Sequence, residues 1–165
     1  MRWAIREERE DDAAAIRAVV ERAFDGHEHS DGSEPDIVER LRAERFPTLS
    51  LVAEDNGTII GHIAFSPVMI ADGTGGWFGL GPVSVEPERQ GEGVGSSLVR
   101  HGLNRMKDDG AMGCVVLGDP AFYVRFGFAC DPALVFPGVP AEYFQRLRFG
   151  GPAPRGELRY CAAFG

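Results

Sequence analysis

The chain has 165 residues, 44% of them hydrophobic and 25% charged, which suits one soluble α/β-sized domain with its own core. A formal net charge of −8 argues against a nucleic-acid partner, which needs a basic face. No apolar run approaches the ~20 residues of a membrane helix. MRWAIREERE lacks a signal-peptide core, and Cys114, Cys130 and Cys161 form no C-x-x-C pair. Thiols in a reducing compartment, the cytoplasm, are therefore expected, buried where Cys114 and Cys161 sit in apolar runs.

In chain order, WAIR (3–6) reads as a short strand. Asp11 or Asp12 is placed to cap a helix whose apolar face is Ile16, Val19, Val20, Ala23 and Phe24. GHEHSDGS is a polar loop. Ser33-Glu34-Pro35-Asp36 resembles a capping box opening a second helix with an Ile37, Val38 and Leu41 stripe, ended by Phe46-Pro47. LSLVAED and TIIGHIAFSPVMI flank Asn56-Gly57, a strong hairpin signal, and ADGTGG leads to a third strand, WFGLGPVSVEP. Gly79, Gly81 and Pro82 interrupt that strand, where it should part from a neighbour. Val94, Leu98, Leu103 and Met106 mark a further helix, CVVLG a buried strand, and DPAFYVRFGF a short helix turning into another strand. The Pro/Gly-rich tail reads as a short helix near PAEYFQRL and a last strand at ELRYCAAF. The order predicts a single mixed α/β domain, residues 1–165, with an α+β mixed sheet.

The stretch VSVEPERQGEGVGSSLV carries the chemistry. Glycines at 91, 93 and 95 stand where a strand gives way to a helix. The first N–H groups of that helix have no intrahelical partner, and its dipole favours an anion. A phosphate site follows, with Arg89 and Gln90 as nearby donors. A Walker A loop requires G-x-x-x-x-G-K-[ST], and no lysine follows these glycines. The Rossmann pattern G-x-G-x-x-G is met only as Gly91, Gly93 and Ser96, with Asp119 as its acidic residue at the end of the next strand. Five residues, Glu86 to Gln90, intervene between strand and turn, and the upstream hairpins disagree with a parallel βαβ half.

The third pattern, Q/R-x-x-G-x-G/A, is met by Gln90, Gly93 and Gly95. With its surroundings, and with DPAFYVRFGF at the expected distance downstream, the chain resembles the GNAT superfamily of acyl-CoA-dependent N-acetyltransferases. The resemblance is good over residues 3–130 and loose in the tail. It implies a GNAT-like fold with a splayed central strand pair, and acetyl-CoA as co-substrate. The pyrophosphate would lie on the amides of Gly91, Gly93, Val94 and Gly95, with Ser96 and Gln90 nearby. The pantetheine arm would run along Val83 and Val85, and Tyr123 would stand near the sulfur.

The implied reaction is acetyl transfer to a primary amine of a small molecule or protein by direct attack. A tyrosine pKa of ~10 against ~8.5 for a thiol makes full proton transfer to the thiolate uphill by about 2 kcal/mol, so Tyr123 acts best as a hydrogen-bond donor. The base is open among Glu86, Ser84, a residue of the loop holding His27, Glu28, His29 and Glu34, and a water chain. His27 and His29 suit a solvated surface better than a metal site. His62, in an alternating strand, reads as structural. Many relatives carry an asparagine where this chain has Gly118-Asp119-Pro120, and Asp119 is placed to cap the short helix instead. The acidic stretch from Asp25 to Asp36 fits a cationic acceptor or simple solvation. Family members are often dimers, and the tail offers surface for a homodimer. A non-catalytic acyl-CoA-binding relative is the alternative reading, and a dinucleotide-binding oxidoreductase module the more distant one.

Overall fold

The computed structural model describes residues 3–25, 32–43, 48–161 and 164. The elements are β1 (Ala4–Glu7), α1 (Ala13–Phe24), α2 (Glu34–Ala43), β2 (Leu49–Asp55), β3 (Thr58–Ile70), β4 (Trp77–Val85), α3 (Val94–Asp108), β5 (Gly113–Leu117), α4 (Pro120–Tyr123), β6 (Leu134–Val135), β7 (Phe144–Arg148) and β8 (Gly156–Tyr160). β1–β2, β2–β3, β3–β8 and β5–β7 pair antiparallel, whereas β4–β5 and β6–β8 pair parallel. The mixed α/β class expected from sequence is the one observed. No helix among the described residues is long and apolar enough to cross a membrane. The chain divides into two compact units, Met1–Phe65 with Pro82–Gly102, and Ser66–Gly81 with Leu103–Gly165.

The first unit is built on the β2–β3 hairpin. Asn56 and Gly57 both take positive φ (50° and 79°), the conformation that a tight two-residue turn demands. The apolar stripes of α1 and α2 bury Ile16, Val19, Val20 and Val38 with Val52 and Ile59 in one cluster. Each such aliphatic side chain contributes about 1.5–3 kcal/mol relative to exposure. Asp12 precedes α1 but does not cap it by side chain. Its carboxylate instead accepts from Arg6 Nη1 at 2.7 Å and from the Arg9 N–H at 2.6 Å. α3 comes close to β3 because the strand carries Gly61: a Cβ there would stand 2.9 Å from Leu98 Cδ1 and 3.1 Å from Val94 Cγ1. The downstream end of β4 is tied to β3 by the Glu86 N–H, which donates to the Ile60 carbonyl at 2.8 Å.

In the second unit, Val68, Ile70, Trp77, Val115, Leu134, Phe144 and Leu158 form the core. The β4–β5 ladder runs from Trp77↔Gly113 to Leu80↔Val116. Gly81 follows with φ 138°, and Leu117, the last residue of β5, pairs with Phe144 of β7. The interruption expected between Gly79 and Pro82 thus falls directly after Leu80. Gly79 is glycine for space: the Tyr160 ring lies where its Cβ would be. The segment PAEYFQRL does not form the expected helix. Ala141–Tyr143 make one 3-10 turn, and Phe144–Arg148 become β7, because β5 offers a strand edge that backbone pairing satisfies.

Candidate active site

The glycine turn lies wholly in the first unit. A single 3-10 turn, Pro87–Arg89, leads from β4 into it. Gly91 and Gly93 take φ of 84° and 96°, a region costly for side-chain-bearing residues, and no heavy atom lies within 4 Å of where a Cβ would project. These glycines are therefore required by backbone conformation, and the space beside them is open. Gly95 and Ser96 belong to the first turn of α3. The Ser97 N–H donates to the Gly93 carbonyl at 3.0 Å, so Val94, Gly95 and Ser96 precede the first intrahelical donor. Val94 is buried beneath the turn and anchors it. The arrangement fits a pyrophosphate: open space, helix-terminal amides and no side chain in the way.

The two polar side chains before the turn are employed within the protein. Gln90 Nε2 donates to the Val85 carbonyl at 3.2 Å. Arg89 Nη2 donates to Asp55 at 2.9 Å and its Nε to Glu92 at 3.1 Å, tying the turn to the end of β2. Its expected part as a phosphate donor is therefore taken up by carboxylates. Val83 and Val85 are half-buried on β4, alternating with the buried Pro82 and Ser84. Glu86, a candidate base, is clasped by Arg22, Nε to Oε1 at 2.6 Å and Nη2 to Oε2 at 2.7 Å. Such a bidentate pair fixes the position of the carboxylate. His27, Glu28 and His29 lie outside the described residues. Glu34 opens α2 and, with Glu21, Arg22, Phe24 and Asp25, lines an open depression of about 380 Å³.

Tyr123 ends α4 in the second unit. The Asp119 carboxylate accepts from the Ala121 N–H at 2.9 Å, the cap that the sequence suggested. Tyr123 is 9% exposed, its ring edge-on to Phe122 at 4.9 Å and to Phe128 at 5.8 Å. A Cβ at Gly118 would stand 2.5 Å from Tyr123 Cε2, so the ring packs on bare backbone. Burial pushes the Tyr123 hydroxyl up to about 12. It stays protonated at neutral pH, and the gap to a thiol is wider than in water, which favours donating a hydrogen bond over giving up the proton.

Sequence patterning did not signal two features. Tyr160 sits over Gly79, edge-on to Phe136 at 5.3 Å, with its hydroxyl pushed upward by burial and then by Tyr123 and Cys114. His62 joins a buried chain with Ser50 and Glu8, residues 12 to 54 positions apart that no local motif connects.

A hairpin-led mixed sheet, a β4–β5 ladder that stops at Leu80↔Val116 and a glycine turn at a helix N-terminus are the features that the resemblance to acyl-CoA-using N-acetyltransferases implied. The model of the acetyltransferase (GNAT) domain matches residues 4–130. The chain is 42% identical to the uncharacterized N-acetyltransferase YhbS of Escherichia coli K12 over 118 residues, 71% of this chain and 68% of that protein. It is 35% identical to YjhQ of the same organism over 144 residues, 80% of this chain and 71% of that one. A GNAT family acetyltransferase from Brucella melitensis, solved with acetyl-CoA, superposes with a TM-score of 0.89 at 50% identity, covering 99% of this chain and 98% of that one. E. coli YhbS, solved with CoA, superposes with a TM-score of 0.90 at 35% identity over 99% and 92% of the two chains. The chain belongs to the GNAT acetyltransferase family, and is an acyltransferase of the N-acetyltransferase type.

Proposed function

We propose that this protein transfers an acetyl group from acetyl-CoA to a primary amine of a small molecule or protein by direct attack. The carrying observation is the turn itself: Gly91 and Gly93 at positive φ with open space beside them, directly before the N-terminus of α3. The backbone amides of Gly91, Gly93, Val94 and Gly95 hold the pyrophosphate, with Ser96 and Gln90 beside it, and β4 at Val83 and Val85 receives the pantetheine arm. The relatives solved with acetyl-CoA and CoA support this assignment.

When bound, the co-substrate supplies an activated thioester and a thiolate leaving group. Tyr123 donates a hydrogen bond to the sulfur as negative charge develops there, a contact stronger in the transition state than in the ground state. Glu86, held by Arg22, positions the end of β4 rather than taking a proton. Glu21, Asp25 and Glu34 around the α1–α2 depression favour an acceptor carrying positive charge. The test is a thiol-release assay with acetyl-CoA against a panel of amines, cationic small molecules and peptide N-termini, with product mass measured. Acetylated product on a cationic amine is the expected result. Acetyl-CoA binding without transfer to any acceptor would favour a non-catalytic relative.

A further inference from the structure

Tyr123 ends a helix of four residues, too short to be stable by itself. α4 hangs from the residues just before it. The Phe122 and Tyr123 N–H groups both donate to the Asp119 carbonyl, at 3.0 and 3.1 Å, and the Asp119 carboxylate caps the Ala121 N–H. The place of Tyr123 therefore depends on what holds Gly118 and Asp119.

Gly118 is held through both of its peptide groups by β7 and the residue before it. Its N–H donates to the Tyr143 carbonyl at 3.0 Å, and its carbonyl accepts from Gln145 Nε2 at 3.1 Å. Gln145 stands opposite Val116 in the β5–β7 ladder, so its side chain reaches two residues along β5, a diagonal within range of a long side chain. It is 1% exposed. An amide at that depth costs stability unless it is hydrogen-bonded, and an aliphatic side chain of the same size carries no such cost. What the amide adds is direction, a donor aimed at one carbonyl.

Two of the surfaces against which the Tyr123 ring packs trace back to this strand. One is Gly118, with no room for a Cβ beneath the ring. The other is Phe128, edge-on at 5.8 Å, and the next residue, Ala129, exchanges backbone hydrogen bonds of 3.1 and 2.9 Å with Arg146. The Tyr143 and Arg146 contacts run backbone to backbone. That of Gln145 runs through a side chain, so a substitution removes it and leaves the ladder intact.

The geometry points to Gln145 as the positioning residue of the thiolate donor: by fixing Gly118, its amide sets where the Tyr123 hydroxyl stands. This rests on the acetyl-transfer reading, in which that hydroxyl meets the negative charge developing on sulfur. A hydrogen bond that strengthens in the transition state is sensitive to placement, and a misplacement of ~1 Å costs on the order of 100-fold in rate. Gln145 acts through the Gly118 backbone and the Tyr123 ring and touches no reacting atom.

The test is a double-mutant cycle on the intact protein, read as thiol release from acetyl-CoA. Gln145→Met keeps the volume and removes the donor, and Tyr123→Phe removes the hydroxyl being placed. Gln145→Met should lower kcat about 10- to 30-fold with KM for acetyl-CoA within twofold of wild type, and should lower it less than twofold further in Tyr123→Phe. With 13C-labelled tyrosine, the Tyr123 Cζ resonance should move in Gln145→Met. Gly118→Ala, which disturbs the same link with position 145 unchanged, should show the same non-additivity with Tyr123→Phe, and decides the matter if Gln145→Met does not fold. Turnover within twofold of wild type in Gln145→Met, or losses that simply multiply with that of Tyr123→Phe in either cycle, overturns the positioning role and leaves acetyl transfer intact. No acetyl transfer by the wild type, or unaltered turnover in Tyr123→Phe, overturns the reading beneath it and the positioning role with it.

Discussion

The two compact units bury different titratable groups, although each also buries neutral polar side chains, Ser84 in the first and Ser66 and Gln145 in the second. The first buries His62 and Asp12, with Glu8 and Arg6 close by in hydrogen-bonded chains. The second holds the buried Tyr123 and Cys114 and the partly buried Tyr160, whose ionisation burial pushes upward. The difference predicts opposite pH liabilities. A histidine whose folded pKa is lowered gives stability present above its unfolded value and lost as pH falls. A thiol or phenol whose folded pKa is raised gives stability present below its unfolded value and lost as pH rises.

The largest effects expected are therefore at the extremes of pH. His62 titrates near 6.5 when unfolded and near 4 when folded, so urea unfolding should lose about 3 kcal/mol between pH 6.5 and 4, and His62→Asn should flatten that slope. Cys114, pushed up to about 12, should produce the mirror-image loss above pH 9, removed in Cys114→Ala. Equal slopes in wild type and variants would erase the contrast between the units. Next in size, Tyr123→Phe should lower kcat about 100-fold, roughly 2.7 kcal/mol, with CoA affinity nearly unchanged. Unaltered turnover would remove the thiolate donor from the mechanism.

Smaller effects separate two kinds of glycine. Gly79 has ordinary φ but no room, since the Tyr160 ring occupies the Cβ position. Gly79→Ala should cost about 2 kcal/mol of stability through overpacking, visible in the denaturation midpoint. Gly93 has room but φ of 96°. Gly93→Ala should cost about 1–2 kcal/mol of backbone strain, felt chiefly as weaker binding at the turn.

Much of this was legible in the sequence because the signals are local. Asn56-Gly57, the α1 stripe, the glycine spacing and the Asp119 cap each act within a few residues, and each forms as read. PAEYFQRL failed because its strand state comes from β5, about thirty residues upstream, and not from its own helix-favouring composition. Of the two cap candidates, Asp11 and Asp12, the one at the N-cap, Asp12, makes no side-chain cap because Arg6 and the Arg9 N–H hold its carboxylate. Arg89 was read as a phosphate donor, although Asp55, 34 positions away, holds it. Tyr160 and the Glu8–Ser50–His62 chain escaped for the same reason: their partners meet only through strand pairing and packing.

The most direct test is isothermal titration of acetyl-CoA and of NAD into wild type and Gly93→Ala. The account predicts that acetyl-CoA binds wild type, binds Gly93→Ala about tenfold more weakly, and that NAD binds neither. NAD binding, or equal acetyl-CoA affinity in the two proteins, would contradict the assignment of the glycine turn to the CoA pyrophosphate.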